Sequence, residues 1–123
     1  MQGYDDYRGV FMKDQVPTLK AGEGVIVNLD SSTGPGTHWV CWYHSKDGDY
    51  RYFDPFGNVP PLELSKVGDS YYSDLDVQPI DSTKCGYYST VVLKDLLNGK
   101  SLIDSLKQFS AKPKKNDSWV NKK

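Results

Sequence analysis

Four side chains, His38, Asp54, Gln78 and Cys85, supply the chemistry of a thiol hydrolase. Cys85 stands ahead of a run in which Tyr87, Tyr88, Val91, Val92, Leu93, Leu96 and Leu97 recur at helical spacing. A thiol at the start of a helix lies near unsatisfied backbone N–H groups and the positive end of the helix dipole. Both favour thiolate over thiol, and Gly86 is expected to keep the approach to the sulfur open. His38, in Gly36-Thr37-His38-Trp39-Val40, offers an imidazole that can take the thiol proton and return it to a leaving amine. Asp54, in Tyr52-Phe53-Asp54-Pro55-Phe56-Gly57, can hold that imidazole in one tautomer and stabilise its cation. Gln78, seven residues before Cys85, carries a neutral NH₂ that can donate to a developing oxyanion beside the Cys85 backbone N–H. Taken singly, each has an ordinary reading: a buried thiol, a strand histidine, a turn-starting Asp-Pro, a glutamine before proline. Their joint occurrence points to nucleophilic acyl transfer. His44 is a rival base, but it ends its strand beside Ser45-Lys46-Asp47.

The elements that must position these groups are short. Gly24-Val25-Ile26-Val27-Asn28-Leu29 reads as a buried central strand, and Ser31 to Gly36 as a turn-rich loop. From Thr37 to Tyr43 the pattern alternates, with His38, Val40 and Trp42 on one face and Trp39, Cys41 and Tyr43 on the other. Lys46-Asp47-Gly48-Asp49 reads as a hairpin turn, and Tyr50 to Asp54 as the returning strand, stopped by Pro55 and Gly57. That hairpin delivers His38 and Asp54 to the same sheet edge. Residues 1–23 are mixed, with Tyr4, Tyr7, Val10, Phe11 and Met12 able to pack. Leu62-Glu63-Leu64 suits the start of a short helix, and Val77 the end of an extended segment that presents Gln78. Asn98-Gly99 should stop the helix that begins at Cys85. Ser101 should then cap a second helix, with Leu102, Ile103, Leu106 and Phe109 inward, ending near Pro113. The expected fold class is α+β: a short mixed or antiparallel sheet packed against a central helix that begins at the cysteine.

Composition bounds the function classes. At 123 residues the chain suits one domain, with the core expected over residues 1–110 and a basic tail over 111–123. Nine Tyr and three Trp argue for a packed globule and against disorder. No apolar run reaches the roughly 18 residues of a membrane span, and no signal-peptide pattern opens the chain. The expectation is therefore an unsecreted, intracellular or virion protein without membrane association, and a monomer. Residues 111–123 hold five Lys and one Asp, so a net charge of −1 overall leaves −5 on the rest. Such a tail can meet DNA or another anionic surface, or simply be solvated. Cys41 and Cys85 make no disulfide framework. One buried and one reactive thiol fits a reducing compartment. The two histidines and two cysteines lack metal-ligand spacing, so neither metal nor cofactor is expected.

Gly36-Thr37-His38-Trp39, Tyr52-Phe53-Asp54-Pro55-Phe56-Gly57, and Gln78 seven residues before Cys85-Gly86 resemble the adenain-like family of cysteine proteases, that of the adenovirus endopeptidase. The resemblance runs from about Gly9 to Leu97. The order His, acid, Gln, Cys is shared with SUMO-specific proteases, whereas papain-like enzymes place the cysteine first. Asp54 fills a place that is Glu in adenain and Asp in the SUMO proteases. The resemblance implies a Cys85-His38-Asp54 triad, a Gln78 oxyanion hole and an acyl-thioester intermediate. It also implies a protein substrate, typically a viral precursor cut after a small residue in a Gly-containing site. The chain is much shorter than adenain, and Cys41 is no evident counterpart of the cysteine by which adenain binds its activating peptide, so peptide activation is not carried over. Two alternatives keep the same scaffold: a SUMO or ubiquitin-like deconjugating protease, and a non-catalytic binding module.

Overall fold

β-Branched and aromatic runs separated by Gly- and Pro-containing turns build a five-stranded sheet in the computed structural model. The structure describes residues 6–29, 38–72 and 85–109, Cys85 through its backbone only. The loop at 31–36, Val77, Gln78 and the tail at 111–123 lie outside the described residues. The strands are β1 (Tyr7–Met12), β2 (Gly24–Asn28), β3 (Trp39–His44), β4 (Tyr50–Phe53) and β5 (Ser70–Tyr72), adjacent in chain order. β2, β3 and β4 run antiparallel in succession, while β1 joins β2 and β5 joins β4 in parallel. The described residues also form three helices: α1 (Leu62–Ser65), α2 (Cys85–Leu97) and α3 (Leu102–Leu106). The mixed sheet against a helix opening at Cys85 is the α+β arrangement that the sequence implies.

Both faces of the sheet are covered, which explains why every residue of β2 is apolar or buried. Ile26, Cys41, Tyr43 and Phe53 pack against Tyr88, Val92, Leu93 and Leu96 of α2. Val25, Val27, Val40, Trp42, Tyr50 and Tyr52 face the other way, onto Leu19 and Leu64. The alternation expected across β3 is the one observed. At Gly24 helix and sheet approach closely: a Cβ there would run into Leu93 Cδ1 and come within 3.2 Å of Tyr43 Cδ1. Gly24→Ala is therefore expected to cost about 1–3 kcal/mol through overpacking, read as a lower midpoint in urea with an unchanged slope.

Two expectations need correction, and one stretch read only as mixed gains an element. Residues 7–12 form a strand; Gly9 at φ 114° and a register shift between Tyr7 and Val10 break the alternation that would have marked it. β2 is interior, but β3 takes the middle of the sheet. α3 ends at Leu106 with Lys107 as its cap, and Ile103 points to solvent at 71% exposure. The Ser101 hydroxyl accepts from Asp104 N–H at 3.1 Å and so fixes the phase of α3, turning Leu102 inward and Ile103 away. Tyr87 likewise lies on the outer side of α2, 66% exposed. The stop of α2 is as expected. Gly99, at φ 91°, donates to Leu96 C=O and Lys100 to Asp95 C=O, both at 3.0 Å, closing the helix in a Schellman motif.

Candidate active site

The turn after β4 builds the first half of the site. Asp54 C=O accepts from Gly57 N–H at 2.8 Å, with Pro55 supplying the fixed φ and Gly57 the positive one, 78°. Inside this turn Asp54 Oδ1 accepts from Phe56 N–H at 2.8 Å, an Asx turn that locks the carboxylate before any partner arrives. That partner is His38. Cys41 pairs with Phe53 across the hairpin, so the start of β3 and the end of β4 share one edge. His38 Nε2 lies 2.9 Å from Asp54 Oδ1. The carboxylate side chain is fully buried and the imidazole is 19% exposed, which strengthens the interaction relative to water. Phe56, delivered by the same turn, stacks on the His38 ring at 5.1 Å between centroids. The hairpin brings Asp54 and His38 together as its turn residues imply; Phe56 had no expected role, and its position two residues after the acid was the available signal.

α2 supplies the second half. Its first turn lies on Trp39, the residue after His38. A Cβ on Gly86 would sit 3.9 Å from the indole, and Ser89 Oγ donates to Trp39 C=O at 3.0 Å. Gly86 therefore faces the indole. Ser89, fully buried mid-helix, was not anticipated, and nothing in its sequence context marks it. The start of α2 thus meets the start of β3 at Trp39, the residue that follows His38. Gln78 lies outside the described residues. Beside this junction an open cleft of about 390 Å³ is lined by Val10, Trp39, Gly86 and Tyr87 among others. A larger cleft, about 600 Å³, lies at the far end of α2 and touches none of the candidate residues.

The remaining imidazole and thiol have structural duties. His44 Nδ1 lies 2.8 Å from Leu19 C=O and Nε2 3.2 Å from Gly48 C=O, with Tyr50 stacked on the ring at 4.2 Å. It pins the hairpin at the opposite end of β3, roughly 20 Å from His38. Cys41 is completely buried, and burial pushes its thiol well above the ordinary range, so it stays protonated and inert. Among the described residues no three His, Cys, Asp or Glu side chains group as metal ligands, and no helix is long and apolar enough to cross a membrane.

With Asp54 engaging Nε2, the tautomer that donates there carries its lone pair on Nδ1. An imidazole held so can accept a proton at Nδ1. Comparison with known proteins bears on the fold that holds it. No family model matches the chain. Two crystal structures of the African swine fever virus pS273R protease, one of the selenomethionine protein, superpose with TM-scores of 0.52 and 0.54 at 24% and 22% identity. This chain has the pS273R fold. The superpositions cover 72% and 68% of this chain but only 39% and 36% of pS273R. In sequence, the chain is similar to the cysteine protease S273R of African swine fever virus, isolate Tick/Malawi/Lil 20-1/1983. It is 46% identical to it over 41 residues, 31% of this chain and 15% of that protein. The chain thus spans well under half the length of S273R.

Proposed function

We propose that this chain carries the catalytic core of a cysteine endopeptidase. The observation that supports it most is the 2.9 Å His38–Asp54 pair beside a helix that opens at Cys85. In this reading Cys85 Sγ attacks the scissile carbonyl while His38 Nδ1 receives the thiol proton. The same nitrogen passes that proton to the departing amine, leaving an acyl thioester that water hydrolyses with His38 again as base. The oxyanion takes hydrogen bonds from the Cys85 backbone N–H and the Gln78 side chain. Asp54 holds the ring and balances the imidazolium charge. The substrate is a protein, and the resemblance to viral proteases favours a viral precursor cut in a Gly-containing site. The basic tail at 111–123 would add DNA affinity that weakens with salt and disappears on its deletion.

Cleavage of a panel of fluorogenic peptides carrying Gly-Gly-x and Gly-x-Gly sites tests the proposal, with Cys85→Ala as control. Wild-type turnover that the variant lacks supports it. Covalent capture of a SUMO or ubiquitin vinyl-sulfone probe, without peptide cleavage, would favour a deconjugating protease. Neither turnover nor capture would leave a binding module on a peptidase scaffold.

A further inference from the structure

Asp54 has a second oxygen that its pairing with His38 does not use. Oδ1 accepts from both His38 and Phe56 N–H, while Oδ2 is buried and has no hydrogen-bond partner among the described residues. Two positions earlier, on β4, Tyr52 is fully buried, and its hydroxyl also has no hydrogen-bond partner among the described residues. Tyr52 lies in the layer away from α2, and alternation carried one residue past the end of β4 puts Asp54 on the same side. The Tyr52 ring has an evident packing duty, edge-on to Trp42 at 6.4 Å between centroids. A phenylalanine would serve that duty equally, so the hydroxyl needs another explanation. Burial, and after it the Asp54 charge, push the Tyr52 phenol far above its ordinary range, so it keeps its proton and feels the carboxylate. Buried polar atoms are nearly always satisfied by protein or by ordered water. Here one orphan is a donor and the other an acceptor, on the same side of the sheet.

We propose that the Tyr52 hydroxyl is hydrogen-bonded to Asp54 Oδ2 through one buried water and holds the carboxylate toward His38. This deepens the cysteine-protease reading and rests on it: Tyr52 is a positioning residue that acts through Asp54. A donor on Oδ2 favours the ionised carboxylate, and so favours the imidazolium that forms opposite Oδ1.

The test is the titration of the His38 ring, followed by NMR in wild type, Tyr52→Phe, Asp54→Asn and the double variant, with Cys85 alkylation measured against pH in parallel. Tyr52→Phe is expected to lower the proton affinity of His38 by about three- to tenfold, and to change nothing further once Asp54 is Asn. An unchanged His38 titration in Tyr52→Phe overturns the proposal, as does an equal effect in both backgrounds. A His38 shift alongside ordinary thiol behaviour of Cys85 would preserve the Tyr52 role while removing the protease reading. A crystal structure of the wild-type chain gives a second check: one water touching both Oδ2 and the hydroxyl supports the bridge, and separate partners for the two atoms overturn it.

Discussion

Replacing His38 with alanine is expected to lower peptide hydrolysis at pH 7 by about 10⁴-fold, the upper range for loss of an acid–base group. The imidazole sits at the strand edge between Asp54 and Phe56, outside both packed layers. The fold should therefore survive. It should lose about 1–3 kcal/mol, because the buried Asp54 carboxylate gives up its hydrogen-bond donor. The activity loss and the stability loss are thus of different orders. Because nucleophile and base act as one unit, His38→Ala combined with Cys85→Ala should be no slower than Cys85→Ala alone. Additive losses in that double variant would mean that the two residues do not share a step.

Asp54 gives the second large effect, and here the choice of substitution decides the outcome. Asp54→Ala removes the acceptor for both His38 and the Phe56 N–H, so the turn and the ring lose their common anchor. Turnover should fall by about 10²–10³-fold through loss of orientation and charge. Asp54→Asn should be milder than Asp54→Ala, because here the turn prevents the tautomer error that makes such a change severe in other triads. The Phe56 N–H can only donate, so it requires an oxygen at the Oδ1 position and turns the new amide nitrogen toward Oδ2. The oxygen then still accepts from His38 Nε2–H, and the ring keeps the tautomer with its lone pair on Nδ1. Only the charge is lost. Steady-state kinetics on the two variants would separate orientation from charge; equal losses in both would show that Phe56 does not fix the amide.

The parts of the site that rest on local patterns were legible in the sequence. Asp54-Pro55-Phe56-Gly57 is a turn by composition, the Lys46 to Asp49 segment closes a hairpin, and together these bring His38 to Asp54 without tertiary information. Gly48, at φ 99°, donates to Ser45 C=O and tightens that hairpin as its residue type implies. Asn98-Gly99 and Ser101 likewise announced a helix stop and a helix start. What the sequence concealed depends on long-range packing. β1 carries a bulge at Gly9 and lies at the sheet edge, and β5 has only three residues, too few for an alternation to register. Ile103 looked like a core residue because it is apolar, yet the cap at Ser101 sets which side of α3 meets the core. Ser89 bonded to Trp39, and Tyr52 behind Asp54, take their meaning from neighbours distant in the chain or from burial, and neither leaves a mark on residue spacing.

The central claim is that Cys85 and His38 share a proton. The most direct measurement is the rate of alkylation of each cysteine against pH, resolved by mass spectrometry, in wild type and in His38→Ala. The account predicts that wild-type Cys85 reacts well below pH 8 and that His38→Ala moves its midpoint up toward the ordinary thiol value of about 8.5. Cys41, sealed inside the sheet–helix layer, should stay unmodified in the folded protein. A Cys85 profile that is the same in both proteins, whether that of an ordinary exposed thiol or of a buried one, would contradict it.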